Sequence, residues 1–299
     1  MLSSTAALAL VVALLPSLLS APAGATPYDP IAEFPFSEGS GLVASRRFPG
    51  VMWALRDSGG GDRSRLYAFK IADGRLAAID GVKFKSWAVD RTNHDWEDLA
   101  IDDSGHLWIG DIGNNRCTRT TQVVHKLAEP NPYGGGLANV VASYPMRWPS
   151  LRAGCGGINS ESLFVLDGRP YLVTKSKSPA VFTYVTLKSG ARNLLTKVGG
   201  LPGLDDGMPT AADLGRDSTR LIVSTGRKAA VYKADPGASR GLGLIRHLIT
   251  RAPAWIQSYR RDGTRAFVEG AAFGAQYNAV ALSETGKIYF LPRSFYEGP

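Results

Sequence analysis

The stretch that decides the fold runs from Asn93 to Asn115 and reads Asn-His-Asp-Trp-Glu-Asp-Leu-Ala-Ile-Asp-Asp-Ser-Gly-His-Leu-Trp-Ile-Gly-Asp-Ile-Gly-Asn-Asn. Two apolar runs, Leu99–Ile101 and Leu107–Ile109, flank the turn residues Asp102–Gly105, which predicts a β-hairpin. Acidic residues stand at both outer ends of this hairpin. Because the two ends of an antiparallel pair meet on the same side of the sheet, the hairpin presents several carboxylates at one edge.

The same arrangement recurs along the chain. In five copies an acidic residue precedes a pair of apolar runs, and these anchor acids are separated by 59, 64, 52 and 56 residues. Further strand-like runs follow each pair, and no segment shows a helical period over 11 residues. Repeats of about 55 residues with four short strands are typical of β-propeller blades. The anchor acids are Glu38, Glu97, Glu161, Asp213 and Glu269.

These repeats predict an all-β fold, a β-propeller. Five blades are favoured, and six remain open if the interval Val43–Trp96 contains irregular strands. The fifth copy ends after three strands, so we expect the segment Thr26–Phe36 to supply the missing outer strand and close the last blade. A β-sandwich or a two-domain β protein is the alternative.

The beginning of the chain predicts secretion. Met1–Ala25 contains an apolar run followed by Ala-Gly-Ala, the pattern of a cleaved signal peptide, although no Lys or Arg precedes the run. Residues 26–299 then form one propeller domain, which we expect to be secreted, monomeric and without a membrane segment. In an oxidising compartment, the two cysteines, Cys117 and Cys155, are expected to form a disulfide.

The charge of the chain indicates an anionic partner. The formal net charge is +8, which favours an anionic partner such as phosphate, a polyanion or an anionic surface, and of these we expect a small anionic ligand. No dense Lys/Arg run with interleaved aromatic residues occurs, so nucleic acid is not expected. The alternative is that the protein is simply basic, as many secreted bacterial proteins are.

The anchor acids predict a metal site. The first strand of each propeller blade lines the central channel, so acids at the start of these strands should converge near one mouth. Crowded carboxylates raise one another's pKa, and a hard cation relieves this repulsion. Calcium takes 6–8 oxygen ligands, and the lack of clustered His or Cys argues against zinc or copper. The alternative is that the acids cap turns or are solvated. The predicted metal ligands are Glu38, Glu97, Asp111, Glu161, Asp213 and Glu269.

Basic residues at or just after the second strand of several copies predict a cationic rim around the same mouth. Four of them are expected to bind the anionic ligand: Arg56, Arg116, Lys175 and Arg227. His94 and Asp95, beside an anchor acid, are the candidate general bases. No GxSxG, HExxH or P-loop motif occurs, which leaves serine-hydrolase, zincin and P-loop mechanisms without support.

The central hairpin resembles a segment of uncharacterised secreted bacterial β-propeller proteins. More distantly, its layout resembles the calcium-activated apyrases and the esterase-like, phytase-related propellers. The apyrase resemblance implies five blades and an axial Ca²⁺ held by Glu and Ser, and it fits Glu97, Glu161 and Glu269, and Ser40 with Glu38, whereas Asp213 departs from it. We therefore expect a secreted, calcium-binding phosphohydrolase or phosphoesterase. The alternative is a non-catalytic binding or scaffold propeller with a structural calcium.

Overall fold

A computed structural model of the protein describes residues 27–58, 63–151, 156–204, 207–238 and 240–297. The predicted signal peptide, Met1–Ala25, lies outside the described residues, so its cleavage stays a prediction. Cys155 lies outside them as well, and the disulfide with Cys117 therefore also stays a prediction. The residue after Cys155 is close to its expected partner, since the N–H of Gly156 donates to the carbonyl of Cys117 at 3.3 Å.

Short strands make up most of the described chain. The first eleven are β1 (Ala32–Glu33), β2 (Gly39–Ala44), β3 (Val51–Arg56), β4 (Arg65–Ala72), β5 (Arg75–Ala77), β6 (Phe84–Val89), β7 (Trp96–Ile101), β8 (His106–Asp111), β9 (Val123–Ala128), β10 (Leu137–Ala138) and β11 (Val140–Arg147). The others are β12 (Ser160–Leu166), β13 (Arg169–Thr174), β14 (Ala180–Tyr184), β15 (Asn193–Gly200), β16 (Pro209–Leu214), β17 (Arg220–Thr225), β18 (Lys228–Lys233), β19 (Trp255–Ser258), β20 (Val268–Phe273), β21 (Ala279–Ser283) and β22 (Lys287–Leu291).

Two short helices accompany the strands, α1 (Leu242–Ile249) and α2 (Arg293–Glu297). Helix α1 is amphipathic and buries Leu244, Ile245, Leu248 and Ile249 against the strands beside it. Neither helix in the described part of the chain has the length and the apolar character needed to cross a bilayer.

The strands form antiparallel meanders of four. From the inner to the outer strand these units are β2-β3-β4-β6, β7-β8-β9-β11, β12-β13-β14-β15, β16-β17-β18-β19 and β20-β21-β22-β1. The inner strands β2, β7, β12, β16 and β20 contact one another in that order, and β20 returns to β2. Sheets arranged around a closed ring of inner strands are a β-propeller. The predicted all-β propeller is therefore confirmed.

The N-terminal strand lies on the outer edge of the last unit. Ala32 pairs with Ile288 and Glu33 with Lys287 in antiparallel register. Phe34, next in the chain, is buried in a core that both ends of the chain share. This pairing covers the edge of β22 and joins the beginning of the chain to its end.

The apolar core lies between neighbouring units. Trp53 and Trp87 of the first unit pack in one cluster with Leu99 and Ile109 of the second. Inner and second strands are buried along their whole length in several units, for example β3 and β7. These strands therefore read as continuous apolar runs because both of their faces are covered.

A buried carboxylate holds three inner strands together. Asp98 is completely buried, and its Oδ2 accepts the N–H of Leu163 at 2.7 Å and the N–H of Ala212 at 3.0 Å. Its Oδ1 accepts the N–H of Leu99 at 2.8 Å. These three donors belong to β12, β16 and β7. Burial raises the pKa of Asp98 well above its ordinary value, although the three hydrogen bonds oppose this effect.

Replacement of Asp98 by Asn is expected to destabilise the protein. An amide has one acceptor oxygen, so at least one buried backbone N–H loses its partner, which costs about 1–3 kcal/mol of unfolding free energy. Chemical denaturation followed by tryptophan fluorescence measures this loss. Asp103→Asn, in an exposed turn, is the matched control. A loss below about 0.5 kcal/mol in Asp98→Asn, the range of ordinary surface substitutions, would contradict this role.

Candidate metal centre

Three glutamates from three different units converge at one mouth of the propeller. One carboxylate oxygen from each of Glu97, Glu161 and Glu269 lies within 4.8 Å of the others. All three residues are buried, with exposed fractions of 2%, 1% and 7%. Oε1 of Glu97 is buried and has no hydrogen-bond partner among the residues that the structure describes. We call these three residues the glutamate cluster.

A β-bulge directs each of these side chains toward the axis. The register with the second strand shifts between Trp96 and Asp98, and corresponding shifts surround Glu161 and Glu269. A bulge leaves one residue unpaired and re-aims its side chain. The bulged residue is therefore free to point inward at the start of the inner strand.

The other two inner strands carry hydroxyl residues at the same level. The shift in β16 surrounds Thr210, and Ser40 directly precedes the corresponding irregularity in β2. The hydroxyl of Thr210 donates to the carbonyl of Val268 at 2.8 Å, and that of Ser40 donates to the carbonyl of Glu97. Both hydroxyls thus join adjacent inner strands beside the glutamate cluster.

Burial and mutual repulsion make the glutamate cluster hard to ionise. Burial, followed by repulsion from Glu161, raises the pKa of Glu269 to about 8. Burial also raises the pKa of Glu97 well above its ordinary value, and Glu161 and Asp95 add to the effect. Asp57, whose own pKa burial raises to about 6, contributes repulsion to both sites.

One lysine partly compensates the glutamate cluster. Nζ of Lys175 forms a close ion pair with Oε2 of Glu161. Burial acts to lower the pKa of Lys175, but the attraction and hydrogen bond of Glu161 together with the attraction of Glu269 and Glu97 outweigh burial, and the pKa is raised. When all are ionised, the three carboxylates and this ammonium group carry a net charge of −2.

Gly113 lies directly against the carboxylates of Glu97 and Asp95. A Cβ atom at this position would overlap Oε1 of Glu97 and Oδ2 of Asp95. Only glycine therefore lets both carboxylates occupy the space above residue 113. Asp95 is half-buried, and burial raises its pKa, although the neighbouring Arg119 opposes this effect.

Arg119 contacts two acidic residues near Gly113 and also lines a neighbouring cavity. Its Nη2 donates to Oδ1 of Asp111 at 2.6 Å, and its Nη1 donates to the carbonyl of Gly113 at 2.8 Å and lies 3.8 Å from Oδ2 of Asp95. A cavity of about 610 Å³ opens beside this contact, lined in part by Arg119, Asp111, His94 and Arg91. Arg119 therefore contacts both the cavity and the residues around Gly113.

The structure brings together three of the six sequence-predicted metal ligands. Asp213 lies elsewhere, and its Oδ2 accepts the N–H of Phe273 at 2.9 Å between two inner strands. Glu38 lies outside the glutamate cluster, half-buried, and accepts the hydroxyl of Ser58 at 2.9 Å. Asp111 is buried and pairs with Arg119 rather than joining the cluster.

The four residues of the predicted basic rim have different surroundings. Lys175 reaches into the glutamate cluster, whereas Arg56 is buried, donates from Nε to the carbonyl of Ser37 at 3.1 Å and lies over the ring of Phe36. Arg116 and Arg227 are exposed. The predicted bases do lie at the mouth: Asp95 stands beside Glu97, and the exposed His94 lines the neighbouring cavity.

Asp98 and Thr210 were absent from the sequence-based prediction, and Ser40 entered it only through the apyrase resemblance. Asp98 follows Glu97 directly, and nothing in the pattern distinguishes a strand-joining acid from a site acid. A signal did exist for Ser40 and Thr210, because each precedes a small residue and an apolar run, as Glu269 does. Aligning the copies on that small residue instead of on the acid would have selected the hydroxyls in place of Glu38 and Asp213.

No protein-family model matches the chain, and no curated protein sequence matches it. Among solved structures, the PQQ domain of pyranose dehydrogenase from Coprinopsis cinerea is 12% identical, with a TM-score of 0.49 over 87% of this chain and 94% of that one. The periplasmic gluconolactonase of Pseudomonas aeruginosa is 12% identical, with a TM-score of 0.41 over 85% and 71%. Virginiamycin B lyase from Staphylococcus aureus is 12% identical, with a TM-score of 0.39 over 86% of this chain and 66% of that one.

These neighbours are β-propeller-like, as is this chain. Their identities of 12% and TM-scores below 0.5 carry no information about its activity.

The raised pKa of Glu269 predicts that the metal-free protein is more stable in acid. Between its ordinary value of 4.5 and about 8, the folded state binds more protons at this site than the unfolded state. The free energy of unfolding should therefore fall as pH rises through this range. Thermal melting from pH 5 to pH 8 with a chelator present measures the slope.

Glu269→Gln cannot ionise at this position and should have a shallower slope than the wild type. Asp103→Asn should keep the wild-type slope, because Asp103 is an exposed turn residue beyond the end of β7, whereas Glu97 stands at the start of that strand. Equal slopes in Glu269→Gln and the wild type would show that Glu269 ionises normally.

Proposed function

We propose that the glutamate cluster binds a hard divalent cation, with Ca²⁺ as the preferred ion. The observation that carries this proposal is the convergence of three buried carboxylates with one oxygen, Oε1 of Glu97, left without a partner among the described residues. A net charge of −2 matches one divalent cation. Buried charges of one sign are otherwise relieved only by protonation, which the raised pKa of Glu269 reflects.

The spacing of the cluster suits calcium. Calcium–oxygen distances are about 2.3–2.6 Å, so oxygens on opposite sides of the ion lie about 5 Å apart. The three oxygens lie within 4.8 Å of one another, which such a coordination sphere accommodates. Magnesium binds oxygen at about 2.0–2.1 Å and retains several waters, so it fits this all-carboxylate site less well. No His or Cys among the described residues joins the cluster to supply the nitrogen or sulfur ligand that would favour zinc.

We infer that the protein uses this metal to hydrolyse a small phosphoester or phosphoanhydride bound in the neighbouring cavity. A bound Ca²⁺ would polarise a phosphoryl oxygen and lower the pKa of a water molecule. Arg119 and Arg91 line the cavity and would hold the phosphate group. Asp95, half-buried beside Glu97 and with a raised pKa, would accept the proton from the attacking water.

The second candidate is a scaffold propeller in which calcium only stiffens the channel. The pairing of the local cations favours it, because Lys175 is engaged by Glu161 and Arg119 by Asp111. A cation that already neutralises a buried acid binds a substrate less readily. Both candidates share the calcium site and differ in turnover. For either, the predicted secretion would expose the site to extracellular Ca²⁺.

Ca²⁺ is expected to raise the melting temperature of the protein and to release protons. A ligand that binds only the folded state stabilises it, and partly protonated carboxylates must ionise to bind metal. Glu97→Gln should weaken binding at least about tenfold, equivalent to about 1.4 kcal/mol. Glu38→Gln is the matched control, since Glu38 lies outside the cluster. Absence of any shift at about 10 mM Ca²⁺, well above the range for extracellular sites, would remove the metal proposal.

Gly113→Ala should weaken Ca²⁺ binding without removing any charge. The added Cβ would displace the carboxylates of Glu97 and Asp95. Gly135→Ala is the control, because a Cβ there meets no atom within 4 Å. Calorimetric titration measures both affinities. Equal affinities for Ca²⁺ in the two variants would show that the arrangement above Gly113 is not part of the binding site.

Phosphate release with and without a chelator separates the enzyme from the scaffold. We expect Ca²⁺-dependent release from a nucleoside triphosphate or an aryl phosphate, and a KM raised about tenfold or more in Arg119→Met, because a charge-assisted contact is lost. Arg147→Met, an exposed position on β11, is the control. Ca²⁺ binding without turnover of any phosphate substrate would favour the scaffold.

A further inference from the structure

A second cavity lies at the mouth opposite to the glutamate cluster. Its volume is about 780 Å³, within the range of sites that bind small organic ligands. The glutamates stand at the starts of inner strands, whereas this cavity is lined by strand ends, including Ala44 of β2 and Phe273 of β20. It lies between the first and last units of the ring and is therefore separate from the proposed metal site.

The walls of this cavity are apolar and rich in aromatic rings. Phe273, Tyr277 and Phe290 line it together with Met52 and Ile71. The rings of Phe273 and Tyr277 meet edge to face, with centroids 5.3 Å apart. Flat apolar walls of this kind favour an aromatic ligand, because ring pairs add to the free energy of simple area burial.

Tyr277 is held in place by several contacts. Its backbone adopts φ = 61°, in the left-handed region, and its hydroxyl accepts the N–H of Asp217 at 3.2 Å. The guanidinium group of Arg220 lies 4.3 Å above the ring. A positive φ at a bulky residue persists only where the surroundings enforce it, and such positions concentrate at ligand sites. The aromatic wall is thus pre-formed.

Two arginines supply positive charge to this cavity. Arg216 is exposed and forms no ion pair with any residue that the structure describes. Arg46 donates from Nη2 to the carbonyl of Leu214 at 3.1 Å, while its Nε is buried and has no hydrogen-bond partner in the described ranges. Arg46 also attracts the buried Asp213, so Arg216 carries the less compensated charge.

The acids of the same cavity compensate Arg216 only in part. The carboxylate of Asp217 accepts the N–H and the hydroxyl of Thr219, at 2.8 Å and 2.7 Å. Asp73 is exposed, at a turn between β4 and β5. A ligand anion in the cavity would therefore meet the guanidinium group of Arg216, whose charge is the less compensated of the two.

We propose that this cavity binds a small aromatic carboxylate. The ring would lie against Phe273, Tyr277 and Phe290, and the carboxylate would accept hydrogen bonds from the guanidinium group of Arg216. Guanidinium groups bind carboxylates in bidentate geometry, which gives orientation as well as affinity. The site is independent of the metal at the other mouth.

Binding of 2-naphthoate and of its uncharged amide, 2-naphthamide, tests the proposal by fluorescence titration and calorimetry with a chelator present. Wild-type protein is expected to bind 2-naphthoate saturably and about tenfold more tightly than the amide. Arg216→Met should reduce naphthoate affinity to that of the amide and leave the amide unchanged. Its control is Arg246→Met, an exposed position on α1. Because Arg216 has no described ion pair, its loss should not unfold the protein.

Ala275→Trp fills the mouth of the cavity and should abolish binding of both probes, whereas Ala128→Trp, exposed at the end of β9, should affect neither. The proposal fails if neither probe binds saturably, if the amide binds as tightly as the acid, or if Arg216→Met is indistinguishable from Arg246→Met. It also fails if inorganic phosphate displaces 2-naphthoate as well as benzoate does, because the apolar walls would then contribute nothing. Since no metal takes part, these outcomes are independent of the calcium titration.

Discussion

The propeller depends on how its inner strands meet at the axis. They approach so closely that a Cβ at Gly41 would lie 2.7 Å from the backbone nitrogen of Leu99, which leaves little room for side chains between them. Strands this close but not paired into one sheet still carry backbone N–H groups that need acceptors. Asp98 supplies acceptors to three inner strands at once, and Asp213 supplies one to a fourth. At the axis, carboxylate oxygens thus accept backbone N–H groups that carbonyl groups of a neighbouring strand would accept within a β-sheet.

The adjacent acids Glu97 and Asp98 differ in whether their carboxylates have hydrogen-bond partners. Asp98 is satisfied by the backbone, while Glu97, one residue earlier, has an oxygen without a described partner. The bulge separates these roles by turning adjacent side chains to different surroundings. The propeller therefore has one mouth where charge accumulates and an opposite mouth where aromatic rings and two arginines form a cavity.

Much of the fold could be predicted from the sequence because its repeats are local. Hairpins such as Leu99–Ile109 have clear apolar runs and turn residues, and their regular spacing indicates a ring. The residues that form the site were harder to predict. When the copies are aligned on an acidic residue, the fourth copy contributes Asp213, which lies three residues after Thr210 at the bulge. Ion pairs such as Arg119 with Asp111 depend on side-chain directions that no repeat encodes.

The closure of the ring has a consequence for the order of folding. The outer strand of the last unit, β1, is only two residues long and pairs with β22, more than two hundred and fifty residues later, as the Glu33–Lys287 contact illustrates. A ribosome delivers β1 long before β22, so the docking site of β1 does not exist until Lys287 and Ile288 have been made. Bringing such distant segments together carries a large loop entropy and slows the step that needs it. The ring therefore cannot close before β22 has been made, and the units made earlier form an open arc until then.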